Sequence, residues 1–599
     1  MKYTITITVL SLLFVSTVSG CGTMDSISAS ENNVGISNVA GTVNASSESD
    51  SSMYNDSNST ESVDSPYALV TTYDMLDFSD MFTDRDQDSA YDESSSTGII
   101  LSDDSIEING NGANVAGTTV TITEEGTYVI SGEINDGQII VDADDTEKIQ
   151  IVLNGCSITN DDSSCILIRS ADKVFITLAE ETENFLSDTG IEYSQETEDY
   201  TVDGVIFSKE DLVLNGNGSL KITAGYDNAI VGKDDLKVTG GNYEIYSSGK
   251  GITANDSIRI NNGSFIISSD DDALHTSNST DKGKGYIYIS GGQYTISSGD
   301  DGIHAETCLV IADGNIDILE SYEGFEGSTI DIEGGNININ SSDDGMNASL
   351  NTSYESDEKN IRNETTDSTI PDRDDTKRDV MEPDMSVISN NSMAAPSDSI
   401  ENMASYNDTL DNMIPEMNNP RNNMEVNETG GEMMDVQSDA YIRISSGNIF
   451  INSDGDSIDS NGYIYIDDGT LTVEGPVSEG NASLDYGIAA DINGGTVILT
   501  GSTGMAETFS ETSTQYSIMY NFENIISGGT EVTLADENGN IIMQYTPSKN
   551  YQSVIFSNPD IENGAYTISA GNFTAQIDVE NTITSNGLSH INSGMDPRV

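Results

Sequence analysis

The stretch Leu236-Lys237-Val238-Thr239-Gly240-Gly241-Asn242-Tyr243-Glu244-Ile245 returns 22 residues later as Ile258-Arg259-Ile260-Asn261-Asn262-Gly263-Ser264-Phe265-Ile266-Ile267. Both carry apolar side chains five and three residues before the glycine and two and four residues after it. The same frame surrounds Gly292, Gly314, Gly335, Gly447, Gly469 and Gly495, spaced by 22 or 21 residues wherever nothing is inserted. Alternation at a period of two marks strands on both sides of each glycine. Eleven residues past the glycine a further apolar position recurs, as Ile252, Leu274, Ile303, Phe325, Met346 and Ile458. A unit this short cannot bury its apolar face alone, so successive units must stack. Residues 201–505 are therefore predicted to form an all-β, right-handed parallel β-helix of about 22 residues per coil. The hand follows the general preference of parallel crossovers.

Outward from these coils the frame loosens. Residues 98–200 keep strand-like runs at irregular spacing and are expected to form an N-terminal β cap and irregular first coils. Residues 350–437, crowded with Asn, Asp, Met and Ser, interrupt the repeat and read as a disordered insertion, which a solenoid tolerates as a projecting loop. Residues 506–582 leave the frame and read as a small C-terminal β domain capping the last coil, with a loose tail over 583–599.

Residues 1–20 combine Lys2 with an apolar run and end in Val18-Ser19-Gly20 before Cys21, which resembles a bacterial lipoprotein signal peptide. Cys21 is then the lipidated residue and 21–97 a disordered tether, so the membrane is reached through a lipid anchor only, at the bacterial cell surface. Cys156, Cys165 and Cys308 cannot all pair, and Cys156 and Cys165 are read as buried small residues. The chain carries 102 acidic against 22 basic residues, a formal charge of −80. Nucleic acid is excluded as a partner by that field, and bound cations are expected to relieve it.

The chemistry gathers in the turn eight and nine residues after the repeat glycine. It reads Asp271-Asp272, Asp300-Asp301 and Asp343-Asp344, with Glu323 and Asp456 at the second position of two other coils and Asp270 and Asp454 just before. Constant framing stacks these acids along one edge at about 4.8 Å per coil. Calcium, which takes six to eight oxygens at roughly 2.3–2.6 Å, could bridge adjacent coils there. Asp270, Asp271, Asp272, Asp300 and Asp301 form the first candidate site, and Asp343 and Asp344 with Glu323 a second. Twelve residues past the glycine, His275, His304 and Glu326 share a column with Asn347 and Asp459. That column suits a ligand groove better than zinc, because its spacing is that of the coil. Lys250 lies one coil below Asp271 and Asp272. Tyr286 and Tyr288 alternate with inward Ile287 and Ile289 and are expected to be exposed on the outer face.

Three stretches carry a family resemblance: Gly126-Thr127-Tyr128-Val129-Ile130-Ser131-Gly132 with Val152-Leu153-Asn154-Gly155, then Ser297-Ser298-Gly299-Asp300-Asp301-Gly302-Ile303-His304-Ala305, then Ser341-Ser342-Asp343-Asp344-Gly345-Met346-Asn347-Ala348. They resemble a bacterial carbohydrate-binding, pectate-lyase-like β-helix family whose studied member binds polygalacturonate. The resemblance implies calcium and an acidic polysaccharide of the pectin type as partner. Two alternatives stay open: a calcium-dependent pectate lyase, for which Lys250 is the best-placed base, and a calcium-stabilised adhesion protein with no saccharide ligand.

Overall fold

All eight repeat glycines adopt positive φ, from 82° at Gly495 to 140° at Gly314. A side chain at Gly335 would also stand 2.8 Å from the carbonyl oxygen of Gly314 in the coil below. The recurrence seen in the sequence is therefore a backbone requirement, a left-handed corner that only glycine meets cheaply, repeated once per coil. The computed structural model describes residues 75–103, 105–194, 200–350 and 437–588. The signal segment, Cys21, nearly all of the insertion and the end of the tail lie outside the described residues.

The chain is a β-solenoid of about 11 turns with almost no helix, a parallel β-helix. Three ladders run its length. One contains Asp235–Val238, Ser257–Ile260, Tyr441–Ile444 and Tyr463–Ile466; the second contains Asn242–Ser247, Ser264–Ser269, Asn336–Ser341 and Asn448–Ser453; the third contains Ile252–Ala254, Leu274–Thr276, Met346–Ala348 and Asp459–Ser460. Register is kept without slip in most pairs, so Tyr243, Phe265 and Tyr294 stand directly over one another. Their rings stack at 5.1 and 4.9 Å, and the two tyrosine hydroxyls donate to the Gly240 and Gly291 carbonyls inside the barrel. The inward Leu, Ile and Val of all three ladders merge into one continuous buried core.

Parallel pairing begins with Thr97–Asp103 against Gly126–Ile134 and continues with Gly126–Ile134 against Lys148–Asn160, so the ladders already run through the stretch whose spacing is irregular in sequence. Around the insertion, Tyr441–Ile444 re-enters over Thr329–Ile332 in register. At the far end Thr496–Gly501 pairs antiparallel with Tyr551–Ser557, which pairs in turn with Ser517–Ile526. That reversal covers the open edge of the last coil. A separate antiparallel sheet of Val532–Ala535, Ile541–Tyr545, Gly564–Ala570 and Phe573–Val579 follows. Ile583–Gly587, composed like a loose tail, instead pairs with Ser517–Asn521. Cys156, Cys165 and Cys308 are buried and take part in no disulfide among the described residues.

Two differences from the sequence reading have one cause. Tyr286 and Tyr288 are only 4% and 8% exposed, not open on the outer face. Residues 75–88, polar enough in composition to extend the tether, lie against the first ladder, and Met81, Leu76, Phe78 and Phe82 cover both tyrosines. Phe78 and Phe82 approach the Tyr288 ring at 5.4 and 6.4 Å. Further along the same strap, Arg85 stacks 4.1 Å above the Phe175 ring and Asp86 is buried against Lys237. A polar sequence with five apolar residues, four of them packed on the tyrosines, thus docks by covering a row of outward apolar side chains.

Candidate functional site

The turn between the second and third ladders stacks as the frame requires. Gly251, Ala273, Gly302, Gly324 and Gly345 each donate a backbone N–H to the carbonyl of the residue one coil on, namely Asp272, Asp301, Glu323, Asp344 and Asp456. This places Lys250, Asp272, Asp301, Glu323, Asp344 and Asp456 in one column. The side chains reinforce it: Asp272 Oδ1 accepts from the Asp301 N–H at 3.0 Å, and Asp344 Oδ1 from the Asp456 N–H at 2.6 Å. One oxygen of each carboxylate is spent on the stack, and the second oxygen of Asp272 accepts from Lys250 Nζ.

A second column, three residues on, pairs Thr253, His275, His304, Glu326, Asn347, Asp459 and Asp485 in register. Asp485 is not visible in the repeat frame, because extra residues separate Gly469 from Gly495; the buried Leu484 before it, equivalent to Ile458, is the signal that finds it.

The two columns differ along their length. Toward the N-terminal end they hold cations. Lys250 Nζ donates to Asp271 at 3.0 Å and to Asp272, which is 2% exposed. His304 Nδ1 lies 3.1 Å from Asp301 and 3.0 Å from Glu326. The imidazoles of His275 and His304 meet edge to face at 5.0 Å, and Thr253 Oγ1 is 3.2 Å from His275 Nδ1. Burial would lower the Lys250 pKa, but Asp272 and Asp271 together hold it above the usual lysine range. Burial, with Lys250 and His304 beside it, pulls His275 down to about 3. Burial works the same way on His304, yet its bond to Asp301 and the charge of Glu326 carry it up to about 9.

Toward the C-terminal end the acids face one another. Glu323 and Glu326 are pushed up to about 8, Asp344 to about 7, Asp456 to about 6 and Asp459 to about 8, with Asp485 also raised. Burial is the largest cause in each. Asp301 adds to it at both glutamates, Asp456 at Asp344 and Asp485 at Asp459. Asn347 Nδ2 donates to Glu323 at 3.1 Å. Among the described residues, no lysine or arginine forms an ion pair with Glu323, Asp344, Asp456, Asp459 or Asp485.

Of the residues singled out from sequence, Asp271, Asp272 and Asp300 each bring a ligand oxygen within 4.8 Å of the others, as do Asp301, His304 and Glu326 with one atom each. A third such group is Asp272, His275 and His304. Asp270 is exposed outside these groups, and Asp454 is taken by Lys549 at 2.9 Å. Asp343 lies beside Asp344 at the edge of the uncompensated stretch, where its carbonyl accepts from Gly455 N–H. The donors of that stretch are nearly all oxygens, the set that suits a hard divalent cation such as calcium.

A relative from Acetivibrio thermocellus, described as a carbohydrate-binding domain-containing protein, is 38% identical over 148 residues, 24% of this chain. The chain spans 52%, about half, of that relative's length. A solved polysaccharide lyase-like protein from C. thermocellum, a gadolinium derivative, is 32% identical, with 40% of this chain and 92% of that chain covered at a TM-score of 0.36. Residues 116–356, which include the coils from Lys250 to Asp344, match the family described as carbohydrate-binding domain-containing protein.

Proposed function

We propose that the protein binds carbohydrate at the bacterial cell surface, and that the ligand is an acidic polysaccharide of the polygalacturonate type bridged by calcium. The family match supports the carbohydrate class. The observation that carries the finer reading is the run Glu323, Asp344, Asp456, Asp459 and Asp485, two adjacent columns of half-buried carboxylates whose pKa values are raised first by burial and, at all but Asp485, also by neighbouring carboxylates. A polyuronate approaching a chain of charge −80 is repelled unless a cation intervenes. Calcium held by Glu323, Asp344 and Asp456 with Asp459 would relieve the protein's own repulsion and leave coordination positions for uronate oxygens. Anchoring through Cys21 would hold this binding edge at the cell surface.

Lys250 argues against the lyase alternative. A lysine base must be neutral when substrate arrives, whereas Lys250 is held protonated between two carboxylates. The test is retention on insoluble polygalacturonate with calcium and with chelator, alongside ultraviolet absorbance for unsaturated products. Retention should fall at least tenfold on chelation, and similarly in D344N/D456N. Retention indifferent to chelator would sink calcium bridging, and a steady rise in absorbance would move the protein to the lyases.

A further inference from the structure

The outward face of the second ladder carries a different chemistry from the acidic edge. Two columns run across successive coils there in register. One reads Ser264, Gln293, Asn315, Asn336 and Asn448; the other reads Ile266, Thr295, Asp317, Asn338 and Phe450. Together they line a shallow trough of about 510 Å³. In a chain with 102 acidic residues, Asp317 is the single charged residue of that lining. Its carboxylate accepts from Asn338 Nδ2 at 2.5 Å.

The rest of the lining is amide, hydroxyl and apolar surface. Asn336 Nδ2 donates to Asn315 Oδ1 at 3.0 Å, which orients both amides and leaves the Asn315 NH2 and the Asn336 carbonyl pointing to solvent. The exposed amides of Gln293 and Asn448 make no side-chain hydrogen bond among the described residues. Ile266 is 51% exposed at one end of the trough and Phe450 half-buried at the other.

We infer that this trough is a second carbohydrate site, for a neutral unbranched glycan running along the solenoid axis, independent of the cation ladder. Side-chain amides supply donor and acceptor together, the pairing a sugar hydroxyl needs. They recur once per coil at about 4.8 Å, close to the length of one sugar residue in an extended chain. Phe450 offers a flat ring, and Ile266 an exposed aliphatic surface, to the C–H face of a pyranose. Charge decides between glycans: a neutral chain escapes the field that repels a polyuronate, and the lining offers no lysine or arginine to pair with one.

The test is titration of the whole protein, in chelator, with cello-, xylo- and manno-hexaose, followed by affinity electrophoresis in the matching polysaccharides. At least one neutral glycan should bind without calcium, and F450A should weaken it about tenfold. I266D, at a position open to solvent, should do the same while circular dichroism and melting stay unchanged. The inference is overturned if no neutral glycan binds in chelator, or if I266D binds as well as the parent. A dimer that I266D dissolves would assign the face to a second copy of the chain and overturn it too. Failure here leaves calcium-dependent retention on polygalacturonate untouched, and loss of that retention leaves neutral binding in chelator intact, so the two readings fail separately.

Discussion

Held in chelator, the protein is expected to unfold at a higher temperature at pH 5 than at pH 8. Glu323, Glu326 and Asp459 sit near 8 in the folded state, Asp344 near 7 and Asp456 near 6. In the unfolded chain all five return to about 4. The folded state therefore binds more protons between these limits, and stability falls as pH rises through that window. His304, raised to about 9, acts in the same direction above its unfolded value near 6.5. His275 opposes them: its folded pKa is lowered to about 3, so stability is lost as pH falls below about 6.5. Between pH 8 and 5 that amounts to roughly 1.5 pH units for one group, against one to three units for each of five carboxylates. Asp271 and Asp301, whose pKa values are lowered, matter only below about pH 4. At ~1.4 kcal/mol per unit the net effect is several kcal/mol even after a generous discount for solvent screening.

Calcium selects the ionised carboxylates, so saturating calcium should raise the melting temperature at pH 8 and flatten its dependence on pH. Calorimetry at pH 5, 6, 7 and 8, with calcium and with chelator, reads both effects. A chelated protein whose melting point is level or climbs toward pH 8 would show that these acids do not repel one another in the fold. The claim that they await a cation would fall with it.

Much of the fold is legible because the backbone imposes it. Gly241 through Gly495 recur since each turns a corner at positive φ, and the flanking apolar pairs recur since each must meet its equivalent one coil away. The acidic column is legible by the same logic, down to Lys250 beneath Asp271 and Asp272. Less legible is anything that depends on contact between distant segments. Nothing around Asp86 announces that its partners are Lys173 and Lys237, and Tyr286 and Tyr288 look exposed until the strap that covers them is placed. Asp485 escapes because a local insertion shifts it out of frame while the fold restores it to the column. The outer amides from Gln293 to Asn448 read as ordinary polar alternation, and only their register across coils makes them a lining.

Replacing Asp86 with alanine is expected to cost about 3–5 kcal/mol, because it strands a lysine rather than merely removing a contact. Asp86 is 1% exposed, with Oδ2 3.1 Å from Lys237 Nζ and Oδ1 3.6 Å from Lys173 Nζ. Burial raises its pKa, but the Thr83 N–H, Lys173 and Lys237 outweigh that and keep it below the usual carboxylate range. Lys173 keeps a second partner in Asp211 at 3.1 Å, whereas Lys237, 5% exposed, has only Asp86 among the described residues. The same side chain closes the capping box by accepting the Thr83 N–H at 3.0 Å, so the substitution also loosens the strap there, while the residue's backbone carbonyl keeps its bonds from Asn215 and Thr239. The loss should therefore appear twice, as a lower melting temperature and as faster proteolysis of residues 75–96. The double variant D86L/K237M, which removes the buried charge as well as its partner, should recover most of the stability. If D86A melts within ~1 kcal/mol of the parent and its strap resists protease equally, the strap is held by Met81, Phe78 and Phe82 against the two tyrosines and not by this ion pair.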